Sequence, residues 1–144
     1  MPVSRREVDM HHRLGAVNHI GIAVANLEEA KKVFCDTLGL PCVEEKTLPE
    51  RGVRIAFLSS GNTMLELLEG LGPESTVSKF VEQRGPGIHH LCFEVEGIGR
   101  VIGELTAAGA RLIDAKPRPG AEGKPVAFVH PKSTLGVLVE LIEK

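Results

Sequence analysis

The chain states one pattern twice. Val17-Asn18-His19-Ile20-Gly21-Ile22-Ala23-Val24 has its counterpart in Ile88-His89-His90-Leu91-Cys92-Phe93-Glu94-Val95, and Leu65-Glu66-Leu67-Leu68-Glu69 has one in Val139-Glu140-Leu141-Ile142-Glu143. The histidines His19 and His90 lie 71 residues apart and the glutamates Glu66 and Glu140 lie 74 apart, so the two halves agree closely in length. An internal repeat fixes the supersecondary unit before any other consideration. A half of roughly 55 residues is marginal on its own, so the two halves must share a core.

Each half reads as β-α-β-β-β. The first strand, 17–24, is β-branched and apolar, as a strand buried on both faces should be. Alternation places His19 with Gly21 and Ala23 on one face, which leaves room beside the imidazole, where Cys92 would line the second half. Asn26 caps the following helix, Glu29 stands three residues on, and Leu27, Ala30, Phe34 and Leu38 form its apolar stripe before the Gly39 stop. The second helix repeats this with Ile98, Val101, Ile102 and Leu105, ending at Gly109. Strands are then expected at 40–44, 53–58 and 63–69, and in the second half at 111–114, 126–130 and 137–143. The segment 70–86 reads as a connector holding a short amphipathic helix capped by Ser75. The expected organisation is a polar leader over 1–14 and one α+β domain over 15–144. Its modules, about 15–69 and 87–144, pair into one curved mixed sheet around a metal-binding cleft.

Composition removes several functional classes. The 144 residues carry a net charge of −2, which gives no general attraction to nucleic acid or another polyanion. Trp and Tyr are absent, so the usual stacking platforms for bases are missing. No apolar run reaches the ~20 residues of a membrane helix. The three cysteines, Cys35, Cys42 and Cys92, form no C-x-x-C pair and suit small core positions in a reducing cytoplasm. The leader holds His11 and His12 but no apolar signal segment.

What remains is the duplicated pair of histidine and glutamate. A lone histidine in an apolar strand is usually a satisfied core residue, and a carboxylate inside Met64-Leu65-Glu66-Leu67-Leu68 or Leu138-Val139-Glu140-Leu141-Ile142 is costly without a partner. The same conflict at matched positions in both halves favours a shared divalent ion. His19, Glu66, His90 and Glu140 would be its N/O ligands, and an octahedral ion would keep two positions open for a chelating substrate. Register with His19 selects His90 over His89, since Asn18 matches His89. Glu69 and Glu143, at the strand ends, read as solvated charges.

At these residues the chain resembles the vicinal oxygen chelate (glyoxalase/bleomycin resistance) superfamily and, within it, the methylmalonyl-CoA epimerase family. The resemblance spans about 15–144 and rests on Asn18-His19-Ile20-Gly21-Ile22-Ala23-Val24, Leu48-Pro49-Glu50-Arg51-Gly52-Val53, Gly61-Asn62-Thr63-Met64-Leu65-Glu66-Leu67-Leu68, Gly87-Ile88-His89-His90 and His130-Pro131-Lys132-Ser133-Thr134 leading into the last strand. It implies interconversion of (R)- and (S)-methylmalonyl-CoA through a metal-stabilised enolate. Two bases would transfer the C2 proton, Glu50 on one side and Glu140, also a ligand, on the other. It further implies one divalent ion, Co2+ first with Mn2+, Ni2+, Zn2+ or Mg2+ as alternatives, an acyl-CoA substrate and a homodimer. Some family members carry Gln where this chain has Glu66.

Lys116, Arg118, Lys124 and Lys132 form the local basic patch best suited to the CoA phosphates, although such a run is usually a solvated loop. A glyoxalase-type isomerase would use a similar four-ligand site on a different thiol adduct. An Fe(II) extradiol dioxygenase would need only one carboxylate beside the two histidines. A ligand-sequestering protein of the same fold would leave all four side chains idle.

Overall fold

The structure is a computed structural model and describes residues 13–144. Most of the leader, including His11 and His12, lies outside the described residues. Contacts divide the chain into two compact units, one formed by 18–92 and the other by 93–144 with the described residues 13–17.

In the first unit the strands hydrogen-bond in the order β2-β3-β4-β1-β5, with β1 at Val17–Val24, β2 at Cys42–Leu48, β3 at Val53–Ser59, β4 at Met64–Gly70 and β5 at Gly87–Val95. Strand β1 is parallel to β4, with Gly21 opposite Glu66, and β4 is antiparallel to β3, with Glu66 opposite Phe57. Helix α1, Leu27–Lys31, starts where Asn26 Oδ1 accepts from Glu29 N at 2.9 Å, and continues as a π-helical turn, Lys32–Thr37, that stops before Gly39 in the left-handed region. Its apolar stripe buries Leu27 with Phe34 against Val24, Ala56, Leu58 and Leu67.

The opposite face of the same sheet holds Ala23, Ile55, Phe57 and Leu68 under α2, Thr76–Arg84, which contributes Val77, Phe80 and Val81. Ser75 caps α2 through bonds from Val77 N and Ser78 N. Because side chains alternate along a strand, His19, Gly21 and Glu66 belong to this second face, away from α1.

The second unit contains the end of β5, α3 at Ile98–Ala107, the two-residue β6 at Arg118–Pro119, β7 at Pro125–Val129 and β8 at Leu138–Glu143. Its strands hydrogen-bond in the order β5-β8-β7-β6. Ile98, Val101 and Ile102 of α3 bury the stripe expected from sequence against Ala127, Val129, Val139 and Leu141. Residues 15 and 16 pair with Glu94 at the end of β5, and Lys144 N bonds Val95 O at 2.9 Å.

Two local expectations change. The strand expected at 111–114 is reduced to a single bridge between Leu112 and Val129, because Asp114 turns its side chain onto Phe128 N at 2.8 Å and ends the ladder. Pairing resumes only at β6. Among the cysteines, Cys92 is fully buried as expected, but Cys35 is half-buried and Cys42 is exposed at the start of β2. Burial pushes the Cys35 thiol pKa up, with the nearby Cys42 adding to the effect.

Candidate functional site

Strands β1, β4 and β5 bring three of the proposed ligands together inside the first unit. His19 Nε2 and His90 Nε2 lie 2.9 Å apart with their rings edge to face. The Glu66 carboxylate stands 3.2 Å from His19 Nδ1, and Asn18 Oδ1 accepts from the same nitrogen at 2.8 Å. His19, Glu66 and His90 are all buried, at 6%, 9% and 7% exposure. With Nδ1–H facing two acceptors, His19 presents a lone pair at Nε2, the form a metal needs.

Gly21 makes the approach of the two imidazoles feasible. A Cβ there would fall on the His90 ring, against Cε1 and Nδ1 and within 2.8 Å of Nε2. The room expected beside the His19 imidazole is therefore filled at Gly21 by His90 itself.

His90 is also held from its other side. His89 Nδ1 lies 3.0 Å from His90 Nδ1, and the His89 ring packs edge-on to Phe80 of α2 with centroids 5.0 Å apart.

Glu140 occupies the corresponding place in the second unit. It is buried, 8% exposed, in the middle of β8 and opposite Phe128 of β7, as Glu66 is opposite Phe57 of β3. Both glutamates lie on the strand face that turns away from the helix of their own half, since their neighbours Leu67 and Leu141 face α1 and α3.

Glu50 is exposed on a 3-10 turn, Pro49–Arg51. The turn is anchored by Gly52 N to Pro49 O at 3.0 Å and by Leu71 N to Gly52 O at 2.7 Å. The basic patch is split in character. Arg118 Nε is 3.4 Å from Asp114 and its guanidinium lies over the Phe128 ring, whereas Lys116, Lys124 and Lys132 are exposed.

Glu69 and Glu143 are not simply solvated charges. Glu69 accepts from Leu27 N at 3.1 Å, and Glu143 accepts from Gly97 N at 2.8 Å and Ile98 N at 2.9 Å. Each caps the N-terminus of the helix of its own half with a carboxylate, where the exposed N–H groups and helix dipole favour negative charge. The bonds from Ile98 N and Gly97 N hold the Glu143 pKa below its ordinary value. Sequence reasoning missed this role, yet its signal was present in the duplication of both glutamates with their helices.

The donor set fits a divalent ion. Two imidazole nitrogens in neighbouring octahedral positions at about 2.1 Å from one ion stand about 3.0 Å apart, close to the spacing of the two Nε2 atoms. The Glu66 carboxylate, on the Nδ1 side of His19, supplies compensating charge, and among the described residues no cysteine joins the group that could hold a metal.

The fold and site define a class, and comparison with known proteins places the chain in it. Residues 18–128 match the family model of the glyoxalase/bleomycin resistance protein/dioxygenase superfamily. The chain belongs to that superfamily and, within it, to the family of the methylmalonyl-CoA epimerases. It is 42% identical to the mitochondrial methylmalonyl-CoA epimerase of Mus musculus over 90% of this chain and 73% of that protein. It is 43% identical to the ethylmalonyl-CoA/methylmalonyl-CoA epimerase of Cereibacter sphaeroides over 89% and 97%. Among solved structures, a Streptomyces coelicolor methylmalonyl-CoA epimerase in complex with 2-nitronate-propionyl-CoA superposes with a TM-score of 0.82 at 32% identity, over 91% of this chain and 95% of that one. No helix among the described residues is long and apolar enough to cross a membrane.

Proposed function

We propose that this chain is a metal-dependent epimerase that interconverts (R)- and (S)-methylmalonyl-CoA, with His19, Glu66, His90 and Glu140 as ligands and Glu50 and Glu140 as the two proton-transfer groups. The observation that carries this reading is the 2.9 Å approach of His19 and His90 Nε2 beside buried Glu66, in a chain 42% identical to a methylmalonyl-CoA epimerase. Co2+ is the first choice of ion, with Mn2+, Ni2+, Zn2+ and Mg2+ as alternatives. The bound ion would supply a Lewis acid for the negative charge that develops on the thioester oxygen.

The remaining work falls to the chain's own side chains. Inversion at C2 requires a proton to leave one face and another to arrive at the opposite face, for which two carboxyl groups suffice. Glu50, on its anchored turn, serves one face. Glu140 serves the other, although ligation weakens it as a base. Asn18 and Glu66 orient the His19 ring through Nδ1, leaving Nε2 to face the metal position.

The CoA phosphates fall to the exposed Lys116, Lys124 and Lys132, and to Arg118 where its ion pair with Asp114 opens. In this reading the protein acts as a cytoplasmic homodimer, with the compartment argued from three cysteines that form no C-x-x-C pair and the dimer carried over from the family.

The test is exchange of the C2 proton of methylmalonyl-CoA in heavy water by the metal-loaded protein. Unmodified protein is expected to exchange it, and Glu50→Gln is expected to lose epimerisation while keeping its metal. Absence of exchange by the unmodified protein would refute the epimerase assignment.

A further inference from the structure

Both proposed histidine ligands are held at Nδ1 by the residue immediately before them in sequence. Asn18 Oδ1 is 2.8 Å from His19 Nδ1, and His89 Nδ1 is 3.0 Å from His90 Nδ1. Asn18 and His89 are equivalent positions of the repeat, so the duplication preserves the arrangement while changing the residue type.

We propose that His89 is a positioning residue that fixes the ring and tautomer of His90 for metal binding. This inference rests on the metal reading given above. To bind an ion through Nε2, a neutral His90 must carry its proton at Nδ1, and that proton needs an acceptor. His89 Nδ1 lies where the acceptor must be. Phe80 holds the His89 ring edge-on from α2, and Gly21 supplies the floor on which the His90 ring rests.

An imidazole nitrogen that carries a lone pair can accept the His90 Nδ1 proton, and so can the oxygen of an asparagine amide. Alanine offers neither.

The first half thus supplies the rescue substitution. Apo protein is titrated with Co2+ and followed by its visible absorption, with folding checked by circular dichroism. His89→Ala should weaken Co2+ binding by roughly 10- to 100-fold. His89→Asn, copying Asn18, should recover most of the loss. Unchanged affinity in His89→Ala would overturn the positioning role, as would a folded His89→Asn no better than His89→Ala. If His89→Ala does not fold, His89→Asn decides alone: near-normal affinity supports the role and a loss of 10-fold or more overturns it. Failure of the unmodified protein to bind Co2+ would instead overturn the metal reading on which this inference stands.

Discussion

The two halves of the chain solve the same local problems with different residues, and the differences mark where function breaks the symmetry. Each half begins with a strand bearing a histidine, yet the position two residues further on is Gly21 in the first half and Cys92 in the second. Gly21 supports the His90 ring, while Cys92 is a fully buried small residue. Each half caps its helix with a glutamate from its last strand. In the first half Asn26 shares the task with Glu69, whereas Gly97 offers no side chain and Glu143 takes two backbone donors alone. Duplication preserved the frame, and divergence followed the demands of each position.

The largest contrast between halves should be in the two buried glutamates. Glu140→Gln removes a proposed proton-transfer group and should lower the rate of C2 proton exchange by about 100-fold or more. Glu66→Gln keeps one oxygen at this position and removes no proposed proton-transfer group, so exchange should stay within about 10-fold of normal by the same rate scale. Equal losses in both variants would remove the distinction between base and ligand.

Next comes the floor beneath the imidazoles. Gly21→Ala drives a methyl group into the His90 ring and should destabilise the protein by about 1–3 kcal/mol while abolishing tight Co2+ binding. Cys92→Ala, at the equivalent place, should leave Co2+ affinity within a few-fold. Calorimetric melting and metal titration on both variants would check this, and normal Co2+ affinity in Gly21→Ala would show that His90 can be seated elsewhere.

The smallest contrast concerns the helix caps. Glu143→Ala should cost about 1–2 kcal/mol in urea unfolding, and Glu69→Ala about 0.5–1 kcal/mol because Asn26 remains. The effect of Glu143 should also depend on pH. Its folded pKa lies below its ordinary value, so its contribution is present above the unfolded value near 4.5 and is lost as pH falls through the lower folded value. The stability gap between the unmodified protein and Glu143→Gln should therefore shrink in acid, and a gap that widened there would contradict the capping geometry.

Much of this architecture was legible in the residues. The repeat gave the order β-α-β-β-β, and Asn26 and Ser75 cap helices as their spacing implied. The stripe of Ile98, Val101 and Ile102 is buried as its periodicity required. The loss of the strand expected at 111–114 was not legible, because its apolar character was overridden by the Asp114 carboxylate accepting from Phe128 N on the neighbouring strand. Glu69 and Glu143 were misread because a strand-end carboxylate shows nothing locally of a helix that begins more than 40 residues earlier.

The sequence alone determined the duplication, the polarity of each element and the candidate set His19, Glu66, His90 and Glu140, since periodicity and buried charge are properties of neighbours along the chain. Tertiary structure decided which atoms meet. It placed Nε2 against Nε2, set the Glu66 carboxylate beside His19 Nδ1 and turned Gly21 into the seat of His90. Those contacts depend on the parallel pairing of β1 with β4 and on the neighbouring place of β5, and strand pairing across such separations is settled by packing of the whole sheet rather than by local sequence.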